Sequence, residues 1–139
     1  MKIKATYQFR PRSDLGRFVD TNITPVVRMA VEECCQLVVD RAQAYCPVDT
    51  GALRASITYE LEDLDKTIRG TVAPHMPYAV YVEFGTGIRG AGSAGAGAGP
   101  YDPNWPGMVA QPYMRPAYEE SKTEVFDIFR NDLASAISV

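Results

Sequence analysis

Residues 24–47, TPVVRMAVEECCQLVVDRAQAYCP, decide the fold, because they predict one long amphipathic helix. Their apolar side chains recur at every third or fourth position, as on one face of an α-helix. Thr24 is a favourable N-cap, and Pro25 suits the first helical position, where its missing N–H would have no partner. Pro47 predicts the end of the helix, because a residue before proline is disfavoured in the α region. The apolar stripe consists of Val27, Ala30, Val31, Cys34, Leu37, Val38, Ala42 and Tyr45.

Upstream of this helix, residues 3–9 alternate between apolar and polar side chains, which predicts a strand that ends before Pro11. Residues 1–12 are therefore expected to form an N-terminal strand or arm. Ser13 and Asp14 predict the N-cap of a short opening turn before the long helix.

Downstream of the helix, the sequence predicts a short helical turn and a β-hairpin. Asp49 or Thr50 is suited to cap the turn, which reaches Arg54. Residues 56–61 and 67–73 are rich in β-branched and alternating side chains, so they predict two antiparallel strands joined by a polar turn.

Residues 78–85 admit two interpretations. Their β-branched and aromatic side chains favour a strand, whereas Gly85 as a left-handed stop favours a short helix, which we prefer. Residues 108–111 predict a short strand. The last helix is expected to begin at Arg115 and Pro116, since proline suits a first helical turn.

These elements predict one α+β domain over residues 1–139, in which a long N-terminal helix and a C-terminal helix pack on a small antiparallel sheet. A long Gly/Ala-rich loop interrupts it. Residues 85–99 contain seven glycines, and the extended loop is expected to reach residue 107. Such a run buries too little apolar area to offset its ordering entropy, so we expect it to be mobile in the free subunit.

Residues 85–90, GTGIRG, match the dinucleotide-binding pattern GxGxxG. That fingerprint needs a strand before it and a helix that opens on it. The glycines continue to Gly99, which predicts no helix here, and the run lacks the lysine of a phosphate-binding loop. A small nucleotide-binding enzyme is therefore a remote alternative, and we predict neither catalysis nor a cofactor.

Other residues that carry chemistry also have structural interpretations. His75, the one histidine, lies between Pro74 and Met76 and is expected to be a turn residue rather than a catalytic base. Glu83 and Asp49 raise the alternative of paired carboxylates, as in glycosidases. A helix-end charge and an N-cap are the interpretations we prefer.

The three cysteines, Cys34, Cys35 and Cys46, form no CxxC pair, and one histidine does not complete a zinc site with them. Two interpretations stay open: small buried hydrophobic residues, or a disulfide formed later between subunits. Cys34 and Cys35 point about 100° apart on a helix, which predicts that at most one faces the core directly.

Composition narrows the class of protein. The net charge of −3 argues against nucleic-acid binding through bulk electrostatics. No apolar run approaches the ~20 residues of a membrane span, and no apolar signal segment follows Met1. We therefore expect synthesis in a cytoplasm and no binding to a membrane or a specific nucleic acid.

Three stretches carry a family likeness: residues 45–57 (YCPVDTGALRASI), 78–86 (YAVYVEFGT) and 111–117 (QPYMRPA). In this order they resemble the tailed-phage tail-component family, which includes tail completion proteins similar to the minor tail protein Z of lambdoid phages. The family pattern is roughly APVDTGxLRxSI, YAxYVEFGT and QPFLRPA. Cys46 and the pair Tyr113 and Met114 depart from it.

The resemblance implies a structural virion protein at the head–tail junction, joining the tail to the capsid as a ring, with six copies expected from tail symmetry. The implied partners are the connector or stopper, the tail terminator and the tail tube. A tail terminator or collar ring is the alternative. The motif residues are mainly caps, turn glycines and helix starts, and Arg115 is expected to pair with Glu83. They are Pro47, Asp49, Thr50, Gly51, Leu53, Glu83, Gly85, Thr86, Pro112, Arg115 and Pro116.

The Gly/Ala loop lies outside the family pattern, so its contacts are inferred from its residues alone. We expect it to order against a neighbouring subunit through Ile88, Arg89, Tyr101 and Trp105. In that case a protease would cut the loop in the free subunit but not in the particle.

Overall fold

A computed structural model describes residues 1–8, 23–65, 67–93, 96–97 and 99–137. The predicted α+β class is confirmed, with a long N-terminal and a C-terminal helix and a small antiparallel sheet. The opening turn predicted at Ser13 and Asp14 lies outside the described residues. The strands are β1 (Ile3–Gln8), β2 (Ile57–Leu64) and β3 (Thr67–Pro74), and the helices are α1 (Thr24–Tyr45), α2 (Ala52–Ala55), α3 (Ala79–Phe84), α4 (Gly87–Ala91) and α5 (Met114–Ile137).

Helix α1 covers the predicted segment, with one correction at its start. Thr24 is already helical, and the cap residue is Ile23, which makes no side-chain cap bond. The helix ends as predicted before Pro47. Cys46 is extended (φ −63°, ψ 125°), and its N–H donates to the carbonyl oxygen of Ala42 at 2.9 Å.

The sheet has the order β1-β3-β2, and both pairings are antiparallel. Strand β2 runs three residues beyond its predicted end, because Leu64 still pairs with Thr67 across a tight turn. Asp65 occupies this turn with a φ of 37°, a conformation that aspartate tolerates better than most residues. Strand β2 lies at an edge of the sheet, so its polar end need not be buried.

The predictions for two short segments, residues 78–85 and 108–111, have different outcomes. The helix preferred for residues 78–85 is confirmed as α3. The strand predicted for residues 108–111 is wrong: only an isolated antiparallel bridge joins Met108 to Thr86. The last helix begins at Met114, one residue before the predicted start.

Helix α1 is the centre of the core, because it packs on β2 and β3 with one side and on α5 with another. Cys35 faces the sheet at Gly70, where a β-carbon would collide with its sulfur. Cys34 faces α5, with its sulfur 3.9 Å from the carbonyl oxygen of Val125. Both cysteines are only 2% exposed, but of the two only Cys35 belongs to the main cluster of buried apolar side chains, in agreement with the prediction that at most one faces the core directly. A helix covered on two sides can bury neighbours that point in different directions.

Candidate assembly surface

Glu83 connects the second family-like stretch to the third. Its carboxylate is 2% exposed and accepts main-chain hydrogen bonds from Tyr113 (2.8 Å), Met114 (2.9 Å) and Arg115 (2.9 Å). These are N–H groups at the start of α5, which have no partners within the helix. A negative charge is also favoured there by the helix dipole. Glu83 is therefore the N-terminal cap of α5, supplied from α3.

This cap brings Glu83 and Arg115 together, as the expected pairing requires. The main-chain N–H of Arg115 donates to the carboxylate at 2.9 Å, and a pair with the guanidinium group stays a prediction. Pro116 follows at the third position of the helix and has no N–H to satisfy. The helix-end interpretation of Glu83 agrees with this geometry.

Tyr113 and Met114, the two departures from the family pattern, are completely buried at the same joint. The Tyr113 hydroxyl donates to the carbonyl oxygen of Ala79 at 3.4 Å. Burial, reinforced by the charge of Glu83, raises the pKa of this hydroxyl. The tyrosine therefore stays a neutral donor that holds α3 against the start of α5.

The first family-like stretch forms the turn between α1 and α2. Gly51 is the cap residue of α2 and has a φ of 83°, a region that glycine adopts readily. The cap predicted at Asp49 or Thr50 is therefore wrong, although Thr50, one position before the cap, accepts a hydrogen bond from the N–H of Ala52 at 3.3 Å. Asp49 is exposed, and Leu53 is buried beneath the turn.

All three stretches line one groove of about 580 Å³, which we call the motif groove. Val48 and Tyr78 are its exposed apolar residues, at 53% and 43% of their full accessibility. Sequence reasoning singled out neither residue, although each lies inside a family-like stretch. The groove is lined by Pro47, Val48, Asp49, Thr50, Gly51, Leu53, Tyr78, Val82, Met108 and Gln111.

The segment predicted as an extended loop is folded on itself where the structure describes it. Thr86 and Met108 exchange main-chain hydrogen bonds of 2.9 and 3.0 Å. Gly85 has a φ of 72° and a ψ of −177°, a region essentially restricted to glycine and different from the predicted left-handed stop. A β-carbon on Gly85 would lie 2.5 Å from the carbonyl oxygen of Met108. The glycines here permit close main-chain packing, which the prediction of a mobile loop did not consider.

A short helix does open within the glycine pattern, contrary to the prediction. However, α4 is only five residues long and follows a helix instead of a strand. The N–H groups of Ile88 and Arg89 donate to the carbonyl oxygens of Trp105 and Pro106, each at 2.9 Å. Because main-chain oxygens occupy these donors, the start of α4 does not offer them to a phosphate.

Three of the four predicted contact residues form an exposed group, which we call the ridge: Ile88, Arg89 and Trp105. Ile88 is 58% and Trp105 54% exposed, and the hydrogen bonds just described place them side by side. Tyr101 differs. Its hydroxyl accepts from the N–H of Gly97 at 3.0 Å and donates to the carbonyl oxygen of Phe84 at 3.4 Å. Tyr101 therefore pins the loop to α3 of its own subunit.

The three cysteines and His75 belong neither to the motif groove nor to the ridge. Cys34, Cys35 and Cys46 are buried thiols, none in a disulfide. Burial, helped by Glu32, raises the pKa of Cys35 to about 11, and burial also raises that of Cys46. A disulfide between subunits stays an untested prediction.

The exposed His75 ring lies 2.9 Å from the hydroxyl of Thr58. No group of three or more possible ligands for a metal ion occurs among the described residues.

A family model described as "Bacteriophage HK97-gp10, putative tail-component" matches residues 12–85. This span is more than half of the 139 residues, and it includes α1, the hairpin and α3. No curated protein and no solved structure matches the chain. Within the part of the chain that the structure describes, no helix is long and apolar enough to cross a membrane.

Proposed function

The chain belongs to the HK97 gp10-like family of bacteriophage tail components, and on that premise we propose that it is a tail completion or neck protein. It acts at the head–tail junction, where a ring of its copies joins the tail to the capsid. Membership makes the chain a structural tail component of a virion. Its position at the head–tail junction and its assembly into a ring are what we propose.

One observation carries this proposal: the three family-like stretches, far apart in sequence, converge on the motif groove. Their hydrogen-bonding residues hold the shape of the groove, and Val48 and Tyr78 expose apolar side chains in it beside the exposed polar residues Asp49, Thr50 and Gln111. Exposed apolar residues gathered at one concave surface, with polar residues around them, mark sites of protein contact. The arrangement thus favours assembly over catalysis.

The ridge offers a second surface of a different shape. A contact between two different patches of identical subunits continues from copy to copy, and it closes into a ring when the rotation permits. Six copies would match the symmetry of a tail. The expected partners are the connector or stopper on the capsid side and the tail terminator and tail tube on the other.

Deletion of the gene for this chain from its phage tests the proposal. We expect filled heads and finished tails that stay separate until the chain is supplied from a plasmid. Infectious particles formed without the chain would exclude a joining role. Imaging of a tagged chain in complete particles distinguishes the neck from the alternative positions, a tail terminator or a collar ring.

A further inference from the structure

We propose that the ridge of one copy binds in the motif groove of the next copy, with Arg89 paired to Asp49. This inference rests on the proposed ring and names the two surfaces that form it. The occupant of the groove is therefore a second copy of this chain.

Shape and polarity support this match. The groove has exposed apolar walls in Val48 and Tyr78, and the ridge presents Ile88 and Trp105, both more than half exposed. Large aromatic residues such as tryptophan often anchor protein interfaces by filling a pocket on the partner. The main-chain bonds of Ile88 to Trp105 and of Arg89 to Pro106 fix the ridge before any partner arrives. A fixed ridge loses little conformational entropy on binding.

Charge complementarity selects the partner. Asp49 is the one charged residue that lines the groove, and Arg89 is the one charged residue of the ridge. Both are exposed, and neither takes part in an ion pair within the described part of the chain. By contrast, Arg28, Arg41 and Arg69 are all paired within the subunit. The nearby acid Asp102 accepts a bond from the N–H of Asn104 in its own turn.

The two surfaces are also distinct enough to be used at the same time. None of Ile88, Arg89 and Trp105 lines the groove, so the two surfaces share no residue. Met108 lies between them and contributes to the groove while bonded to Thr86. One copy can therefore offer its ridge to one neighbour and its groove to another.

A charge exchange tests this pairing in the particle. Variants Asp49→Arg and Arg89→Asp, and the double variant, are supplied from a plasmid to phage that lack the gene. The amount of chain in purified particles is measured together with infectivity. Since facing like charges strongly disfavour an interface, we expect each single variant to lower incorporation roughly tenfold or more. The double variant restores the pair and is expected to return to within about threefold of the wild type.

Matched controls are Asp40→Arg and Arg130→Asp, which reverse exposed charges on α1 and α5. Both are expected to assemble normally, and thermal unfolding of all purified variants checks that they fold. If the wild type enters particles but both single variants enter equally well, or if the double variant is no better than the singles, the pairing is wrong. If the wild-type chain is absent from particles, the proposed function itself fails.

Discussion

At the scale of single residues, a buried carboxylate and a buried glycine carry the greatest structural consequences. Glu83 faces main-chain donors, and Gly70 faces the side chains of α1. Neither role requires a charged partner or a cavity. Glu83 supplies carboxylate oxygens to the start of α5, whereas Gly70 lacks the β-carbon that would collide with α1.

Glu83→Gln is expected to destabilise the chain by about 1–3 kcal/mol, because an amide removes the charge and turns an N–H₂ group toward N–H donors. Urea unfolding followed by circular dichroism measures the change. Glu119→Gln is the control, since Glu119 is exposed in an ion pair with Lys122 and its loss should cost under ~0.5 kcal/mol. Equal stability of the two variants would contradict the capping role.

Gly70→Ala is expected to destabilise the chain by about 1–3 kcal/mol, since a methyl group there overpacks the contact with α1. Its β-carbon would collide with the Cys35 sulfur and lie 3.0 Å from Val31. Cys35→Ala removes the sulfur, so the double variant should lose less stability than the sum of the two single variants. Additive losses in a double-mutant cycle would show that the two positions do not touch.

At the scale of elements, the glycine-rich segment has a definite construction. Helix α4 and the main chain of residues 105–108 approach so closely that side chains at particular glycines are excluded. A β-carbon on Gly87 would collide with the carbonyl oxygen of Trp105, and Gly87 has a φ of 59°. At Gly92 the nearest atom would be 3.6 Å away, and φ is −84°. A side chain is therefore excluded at Gly87 but has room at Gly92.

Gly87→Ala is expected to lower stability by about 1–3 kcal/mol and to separate α4 from the segment at Trp105. Cleavage by trypsin after Arg89 reports that separation and should be much faster in this variant than in the wild type. Gly92→Ala is the matched control and should keep the wild-type rate. Rapid cleavage of the wild type in the free subunit would instead support a mobile loop.

At the scale of the whole molecule, the core has two layers that meet on α1. The sheet covers one side and α5 covers another, so the cysteines of both sides are enclosed. With a pKa of about 11, Cys35 is roughly one part in a thousand thiolate at pH 8. Burial therefore controls both the access to these thiols and their reactivity.

Titration with a thiol reagent at pH 8 is expected to find almost no reactive cysteine in the native chain and three in urea. Slow labelling in proportion to the unfolded fraction would agree with this structure. Fast labelling of one cysteine in the native state would reopen the disulfide between subunits, as would a particle protein whose gel mobility changes with reductant.

The sequence predicted those parts of the fold that depend on local order. The spacing of apolar residues and Pro47 located α1, and alternation located the hairpin. The family resemblance led us to expect a pair of Glu83 with Arg115, but not the cap, because the main-chain donors from Tyr113 to Arg115 lie about thirty positions away and carry no side-chain signal. The same applies to α4, whose glycines are explained only by the carbonyl groups that approach them. The glycine-rich composition predicted a loop without tertiary contacts. Instead, main-chain hydrogen bonds join residues 86–89 to residues 105–108.

The two-sided burial of α1 has a consequence for the order in which the chain is made. Helix α1, the sheet and α3 leave the ribosome before α5. Until α5 emerges, the side of α1 that carries Cys34 is uncovered. The carboxylate of Glu83 also lacks the N–H groups that donate hydrogen bonds to it in the finished fold. A nascent chain stalled before residue 114 is therefore expected to expose the side of α1 that α5 covers in the finished fold.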